Sequence, residues 1–357
     1  MSLYLNALAM ICPLGDTHDA IRTRLFAGHS GVLADATRTD AQGQPLSLGA
    51  IPDQCALPDD SHLPPRERSR NNRLLLAALA QIRDQADAAI ARYGAHRVAI
   101  VLGTSTSGIA EGEQAVRQHS ASGSFPAGYH YGQQELGSPA AALRLTLGSS
   151  GPAHVHSTAC ASSGKAMASA ARLLNMGVCD AVLCGGVDSL CDFTIAGFSA
   201  LESVSAQRCN PLSRHRHGIN IGEGAALFLM TREPARVALS GWGESSDAHH
   251  VSAPDPEGQG ARRAILQALA RAGLAPGQID YINLHGTGTP SNDRAESRAV
   301  TSLFGPTTPC SSTKGATGHT LGAAGALRRG VLRLVKGGHS LHQEDPEAAL
   351  GMLEEVL

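Results

Sequence analysis

Short apolar runs alternate with helical patterns through most of this chain, and that alternation limits the folds open to it more than any other feature. Leu3 to Ile11 alternates well enough for a strand, closed by Cys12-Pro13-Leu14-Gly15. Asp16 to Phe26 reads as a helix that stops at Gly28, while residues 29 to 65 are rich in turn formers and resist placement. Leu75, Leu76, Leu79, Ile82, Ala86 and Ile90 recur close to helical spacing, so the pattern predicts one long helix over Leu74 to Tyr93. Arg97 to Gly103 is an apolar strand, followed by a Thr/Ser/Gly loop at 104 to 108 on its carboxyl end, where α/β sheets place ligands. Glu135 to Leu147 predicts a helix with Pro139 near its first turn, and Asp180 to Cys184 a buried strand running into Gly185-Gly186.

The pattern returns downstream. Residues 208 to 230 are rich in Arg and Gly, and the Gly222-Glu223-Gly224 turn leads into an apolar strand; nothing there completes a dinucleotide fingerprint. Polar residues at 243 to 260 predict a loop, and Ala261 to Ala272 a helix. Ile279 to Leu284 predicts a strand ending at His285, with a Gly/Thr loop to Pro290 and a helix from Asn292 or Asp293. Pro309 to Thr313 predicts a short strand ending at Lys314, and a Gly-rich turn carries His319 ahead of a helix from Leu321 to Leu327. Strands and helices alternating in both halves predict an α/β protein of two similar lobes.

The stretch His156 to Leu174, HSTACASSGKAMASAARLL, focuses the chemistry. Gly151-Pro152 breaks the chain ahead of it, and Ala153 to Ser157 is short enough for a strand. Ser157 and Thr158 are cap residues, and an Ala-rich helical pattern follows. Cys160 is thereby expected where a strand turns into a helix, in reach of the unpaired N–H groups and positive end of the dipole. That setting predicts a lowered thiol pKa and donors for an oxyanion. Most free cysteines are small core residues, and Cys12, Cys55, Cys179, Cys184, Cys191, Cys209 and Cys310 read as core or surface fillers.

Composition removes several classes of function. The 357 residues can hold one large or two fused domains with ample core, and 42% apolar against 17% charged residues marks a soluble globular chain. A net charge of −2 gives no support for nucleic-acid binding. No segment reads as a signal peptide or a membrane span. The eight cysteines lack zinc spacing, and a reducing cytoplasm is the expected setting. Arg66, Arg68, Arg70 and Arg73 form a cluster that is either a solvated helix face or a docking patch for an acidic partner.

Cys160, His285, Lys314 and His319 all fall at or just after predicted strand ends, where catalytic groups gather on loops held by a rigid scaffold. A thiol nucleophile needs a partner, and an acyl thioester needs its carbonyl polarised. With these residues in view the chain resembles a β-ketoacyl-acyl-carrier-protein synthase, a condensing enzyme of the thiolase superfamily. The resemblance rests on STACASSGKA around Cys160, RHRHGINIGEGAA at 214 to 226, NLHGTGTPSND at 283 to 293 and SSTKGATGHTLGAAGA at 311 to 326. SRNNRLLLAALAQI and VLGTSTSG are most similar to the synthases of bacterial aryl polyene pathways.

The resemblance implies a five-layer αβαβα thiolase-like fold, with residues 1–235 as the lobe carrying the nucleophile and 236–357 as the lobe carrying His/Lys/His. It implies that Cys160 accepts an acyl chain as a thioester. His285 and His319 would hold the thioester carbonyl of malonyl-carrier protein during decarboxylation, and Lys314 would orient the pair. The implied product is a 3-oxoacyl chain two carbons longer. Asp293 and Glu296 match supporting acidic positions, and Phe198 a position near the acyl pocket. No metal or dissociable cofactor is expected, since phosphopantetheine arrives on the acyl carrier protein, and the chain is expected to pair with itself or with a synthase-like paralogue. An acidic carrier brings docking at Arg66 to Arg73 level with the solvated-face reading of that cluster.

Two departures stand out. Where the family carries a glutamate fourteen residues after the lysine, this chain has Arg328. From Leu327 onward the resemblance fades, and the family's late Gly-Phe-Gly-Gly-like loop has no counterpart, which predicts an incomplete carboxyl-terminal lobe and impaired activity. Two rival functions follow. A coenzyme A thiolase is expected to carry a second late cysteine, and the histidines with Lys314 favour the synthase instead. A non-catalytic partner subunit of the chain-length-factor type usually lacks the nucleophile, which is present here.

Overall fold

The computed structural model describes residues 3–40, 42–250 and 252–328. The first half runs β1 (Leu3–Ile11), α1 (His18–Phe26), β2 (Val32–Thr39), β3 (Pro45–Gly49), α2 (Arg70–Gln81), α3 (Arg83–Tyr93), β4 (Val98–Gly103), α4 (Ile109–Ser122) and α5 (Ser138–Leu147). It continues with β5 (Ala153–His156), α6 (Ser162–Asn175), β6 (Ala181–Asp188), α7 (Asp192–Ala200), β7 (Gly224–Thr231) and β8 (Ala238–Leu239). Then follow α8 (Gln259–Ala272), β9 (Ile282–Asn283), α9 (Pro290–Phe304), β10 (Cys310–Ser311) and α10 (Lys314–Thr317).

One sheet organises the molecule, in the order β5-β4-β6-β7-β1-β8. β4 pairs parallel with β5 and β6, whereas β6, β7, β1 and β8 pair antiparallel in turn. Strands β4, β6 and β7 are buried at every position, which accounts for their unbroken apolar sequences: a strand covered on both faces has no polar face to show. On one face Leu8 and Met10 of β1 pack with Met167 and Leu174 of α6 and Ile21 of α1. On the other, Ala9 and Ile11 pack with Leu75 and Leu79 of α2, Ala86 of α3 and Leu143 of α5. The result is a mixed α/β arrangement with helices on both faces. Among the described residues no helix is long and apolar enough to cross a membrane.

The register brings the ends of the parallel strands together. Gly103 of β4 sits opposite both His156 of β5 and Gly186 of β6, so β4 and β5 end in step and β6 runs two residues further, to Asp188. Glycine at both Gly103 and Gly186 is a steric requirement. A Cβ on Gly103 would lie 2.4 Å from the backbone of Ser162 and Ser163, and one on Gly186 would lie 3.1 Å from Cα of Ala323. The first turn of α6 and the turn after His319 therefore rest directly on the strand ends.

Several expected boundaries move. The unplaced stretch holds the β2–β3 hairpin, in which β3 buries Leu46 and Leu48 in a third apolar cluster with Ile195, Ile219, Ile221 and Leu321. The long helix of Leu74 to Tyr93 is two helices broken at Ile82 (φ −126°, ψ 22°). There the Gln81 side chain turns to β1, donating to Met10 O and accepting from Met10 N. Helices α4 and α7 fill segments the sequence left open. The strands expected at 279–284 and 309–313 shrink to two residues each, paired in parallel. Among the described residues the stretch after 235 thus contributes β8 to the six-stranded sheet and a two-stranded sheet of its own, β10-β9. Leu321–Ala323 form a 3-10 turn, with helical residues 324–328 after it. The expected incompleteness of the carboxyl-terminal lobe concerns residues that lie outside those described.

Substituting Gly103→Ala forces the first turn of α6 off β4. The expected outcome is a loss of roughly 2–3 kcal/mol in denaturant unfolding, with slower alkylation of Cys160 in the fraction still folded.

Candidate active site

Cys160 follows β5 and precedes α6 by one residue, as the sequence requires, but the local geometry differs from the expected cap. Ala159 adopts a left-handed φ of 49°, and Ala161, not Ser157 or Thr158, occupies the cap position without a side-chain bond. Ser162 secures the turn from inside the helix: its Oγ accepts from Thr158 N (2.8 Å) and donates to Ala159 O (2.6 Å). A non-glycine residue held at positive φ stores strain, and here it aims the next residue, the cysteine.

The Cys160 Sγ lies 3.0 Å from His319 Nε2. The His319 ring meets the His285 ring edge to face, with centroids 5.2 Å apart at 83°. The Lys314 Nζ donates to the backbone oxygen of His285 and stands 3.5 Å from His285 Nδ1. All four residues singled out in the sequence are therefore in one place. His319 and Lys314 are each 2% exposed.

Two carboxylates shape the loop that carries His285. Glu296, on α9, accepts from His285 N (2.6 Å) and Gly286 N (2.7 Å). Asp293, one turn earlier, accepts from Thr287 N (3.1 Å) and Gly288 N (3.2 Å), while its other oxygen takes Leu212 N (2.7 Å). Both positions thus act on backbone amides. Phe198 packs against the cluster that holds Leu321, two residues past His319.

Protonation follows from hydrogen bonding. Leu321 N donates to His319 Nδ1 (3.1 Å), so the neutral ring carries its proton on Nε2 and presents it to Cys160. A charged Lys314 facing His285 Nδ1 assigns the second ring the same tautomer. Burial, with the Lys314 charge second, holds both imidazoles well below their ordinary range, so they are neutral donors, not bases. Burial, reinforced by Arg328 and opposed by Glu296, pulls Lys314 down to about 7.

The expectation of a lowered thiol pKa fails. Burial raises the Cys160 thiol, and the Lys314 charge only partly opposes this. Burial also pushes up Cys12 and Cys184, to about 12, and Cys179, to about 11, and all three are core residues.

Ligand atoms of Cys160, His285 and His319 lie within 4.8 Å of one another. Metal ligation at His319 Nε2 would need that atom's lone pair and a proton on Nδ1, but Nδ1 already accepts from Leu321 N. The donor geometry thus fits hydrogen bonding to an oxyanion and does not fit a metal centre.

The arginine cluster does not form one free patch. Arg68 donates to Leu63 O and Ser61 O, Arg73 to Pro58 O and Leu57 O, and Arg70 forks onto the buried Glu223. Arg66 is exposed and paired with Glu67 and Glu135. The sequence reading passed over Asp188, buried at the end of β6 beside this site. Its signal was an acid closing an otherwise apolar strand, AVLCGGVD.

The family model described as "Beta-ketoacyl synthase, N-terminal domain" matches residues 5–235, and "Beta-ketoacyl synthase, C-terminal domain" matches 237–334. The chain is 30% identical to 3-oxoacyl-[acyl-carrier-protein] synthase 2 of Synechocystis sp., over 90% of this chain and 82% of that protein. It is 39% identical to the mitochondrial 3-oxoacyl-[acyl-carrier-protein] synthase of Arabidopsis thaliana, where the match covers 52% of this chain and 45% of the relative. Among solved structures, the ketosynthase ApeO in complex with its chain length factor ApeC, from Xenorhabdus doucetiae, superposes with a TM-score of 0.89 at 48% identity, covering 94% of this chain and 84% of that one. The ishigamide ketosynthase/chain length factor superposes with a TM-score of 0.82 at 26% identity, covering 92% of this chain and 85% of that one. With His319, His285 and Lys314 gathered beside one thiol and both family models matched in order, the chain belongs to the beta-ketoacyl synthase family.

Proposed function

We propose that this chain is a β-ketoacyl-acyl-carrier-protein synthase of an aryl polyene type of pathway, catalysing decarboxylative Claisen condensation. The observation that carries the proposal is Cys160 Sγ at 3.0 Å from the proton-bearing His319 Nε2, beside a second imidazole of the same tautomer. Cys160 attacks an acyl-carrier thioester; its proton leaves with the carrier thiol, and the acyl group stays on sulfur. Malonyl-carrier protein then loses carbon dioxide, and the electron pair of the broken bond passes into the thioester enolate. The Nε2 protons of His285 and His319 hold that oxygen. The enolate carbon attacks the acyl-Cys160 carbonyl, a carbon–carbon bond forms, and the sulfur leaves and recovers a proton from water. Lys314 fixes His285 through its backbone oxygen, and Phe198 lines the acyl side.

The finer architecture belongs to the same reading: a five-layer thiolase-like fold, with lobes at 1–235 and 236–357, supported by two family models that meet between 235 and 237. The acidic carrier protein would meet Arg66, the exposed member of the cluster. A chain-length-factor-like partner is favoured over a second copy because the ketosynthase of 48% identity was solved with such a partner. A role as the non-catalytic subunit is the second reading, and the presence of Cys160 argues against it.

Cerulenin is expected to add once to the wild-type protein and not to Cys160→Ala by intact mass; a folded wild type without an adduct would favour the partner-subunit reading. His285→Ala removes one oxyanion donor. Malonyl decarboxylation should fall about 10²–10³-fold while the cerulenin adduct still forms.

Lys314 also sets a stability profile. Its pKa is depressed when folded, so the unfolded chain binds more protons between pH about 7 and the ordinary lysine value, and stability rises with pH across that window. Lys314→Met should therefore gain melting temperature relative to wild type at pH 6, with the gain shrinking towards pH 10, while condensation is lost.

A further inference from the structure

Asp188 is 0% exposed, and no role has yet accounted for it. Its Oδ1 accepts from Thr104 Oγ1 (2.9 Å), Ser105 N (2.7 Å), Thr106 N (2.8 Å) and Thr106 Oγ1 (2.9 Å), all in the loop after β4. Its Oδ2 accepts from Ala323 N (3.1 Å), in the turn that follows His319. One carboxylate thus joins the ends of β4 and β6 to the His319 segment. The loop after β4 also touches the nucleophile's turn, through Ser105 Oγ to Ala159 O (3.4 Å). The His319 segment has little room beside it: a Cβ on Gly322 would lie 2.8 Å from Asp188 Oδ2 and 2.9 Å from Ser105 Oγ.

A second bond, Ala326 N to Ser163 Oγ (3.0 Å), ties the same turn to the first turn of α6. Leu321, whose amide sets the His319 tautomer, lies between His319 and these two anchors and is itself held at a positive φ of 45°. A strained residue persists only where its surroundings over-determine it. Burial pushes the Asp188 carboxyl up to about 6 in spite of its donors, so keeping an acid here is a cost to the fold.

We propose that Asp188 is a positioning residue that clamps the His319 turn against the Cys160 turn, through its bond to Ala323 N, and so holds His319 Nε2 on the thiol. Its consequence for catalysis rests on the condensing-enzyme reading; its effect on the thiol does not. Two influences on Cys160 run in opposite directions. By charge alone, Asp188 raises the thiol pKa, as Lys314 and Arg328 lower it. By position, Asp188 keeps a donor on the sulfur, which stabilises the thiolate.

The deciding experiment is the pH dependence of Cys160 alkylation by iodoacetamide, resolved by peptide mass, in wild type and Asp188→Asn. The Asn amide cannot accept from Ala323 N while its oxygen keeps the Thr104–Thr106 donors. The clamp predicts an upward shift of the thiol midpoint by about one pH unit. A downward shift, or none, would mean that Asp188 acts by charge or as plain structure, and overturns the proposal. If Asp188→Asn does not fold, Ala323→Pro removes both bonds of that amide, to Asp188 Oδ2 and to Thr320 O, with the carboxylate intact, and Gly322 before it tolerates the proline; the same upward shift is expected, and its absence overturns the proposal. Condensation separates the two readings. A wild type that does not condense defeats the proposed function and leaves the thiol result standing. In a wild type that does condense, Asp188→Asn should lose about tenfold in kcat at unchanged KM, and an unchanged kcat would overturn the clamp.

Discussion

The chemistry of this site depends on a single backbone bond, from Leu321 N to His319 Nδ1. An imidazole between a thiol and solvent can act as base or as donor, and its tautomer decides which. A main-chain amide cannot change its mind as a side chain can, so His319 is committed to donation. The surrounding structure serves that commitment. His319 N donates to Asn220 O (2.6 Å) and His319 O accepts from Gly222 N (2.9 Å), so the residue before the strained turn is held like a strand. Gly186 then lets the turn lie on the sheet.

Charge is used sparingly and placed deep. Lys314 is buried with both histidines neutral beside it, and Glu296 spends its two oxygens on the amides of His285 and Gly286. Arg328 enters this group where a glutamate would be expected by family resemblance, and adds to the depression of Lys314. Its Nε has no hydrogen-bond partner, and Asn283, whose backbone oxygen lies 3.4 Å from Arg328 Nη1, has both side-chain polar atoms buried and unpartnered. Two cations near one saturated carboxylate lower the charge on the lysine at neutral pH, which weakens its support for a thiolate at Cys160.

The site was legible to the extent that local sequence encodes it. Cys160 follows the strand signal of β5, and His285 and Lys314 those of the parallel pair β9 and β10, with His319 in the turn just beyond; loops at strand ends of an α/β fold are where ligands are placed. What escaped was set by distant partners. The β2–β3 hairpin has one buried edge and few apolar residues in β2, so its pairing shows only once Leu46 and Leu48 meet the third cluster. The break at Ile82 comes from Gln81 reaching β1 across the fold, not from a breaker in the helix. The arginine cluster looks free in sequence because its partners are backbone oxygens and a glutamate 153 residues away. Asp188 shows in the sequence only as an acid closing an apolar strand; its role does not, because its five donors come from two loops that adjoin it only in the folded chain.

The thiol shows how magnitudes decide between effects that sequence alone can only name. A helix N-terminus contributes about 0.3–1 kcal/mol to a nearby anion at an exposed site, and up to about 2 kcal/mol in a partly buried one. Burial can move a titrating group by several pKa units, each worth about 1.4 kcal/mol. At Cys160 the helix begins at Ser162 and burial prevails, so the resting nucleophile is a neutral thiol. Such a site needs no resident base if the substrate is a thioester, because the departing carrier thiolate accepts the proton the cysteine gives up. Two neutral imidazoles then suffice, since the charge that must be stabilised arises on the substrate oxygen and not on the enzyme. Reactivity is thereby tied to the arrival of a substrate that brings its own leaving group.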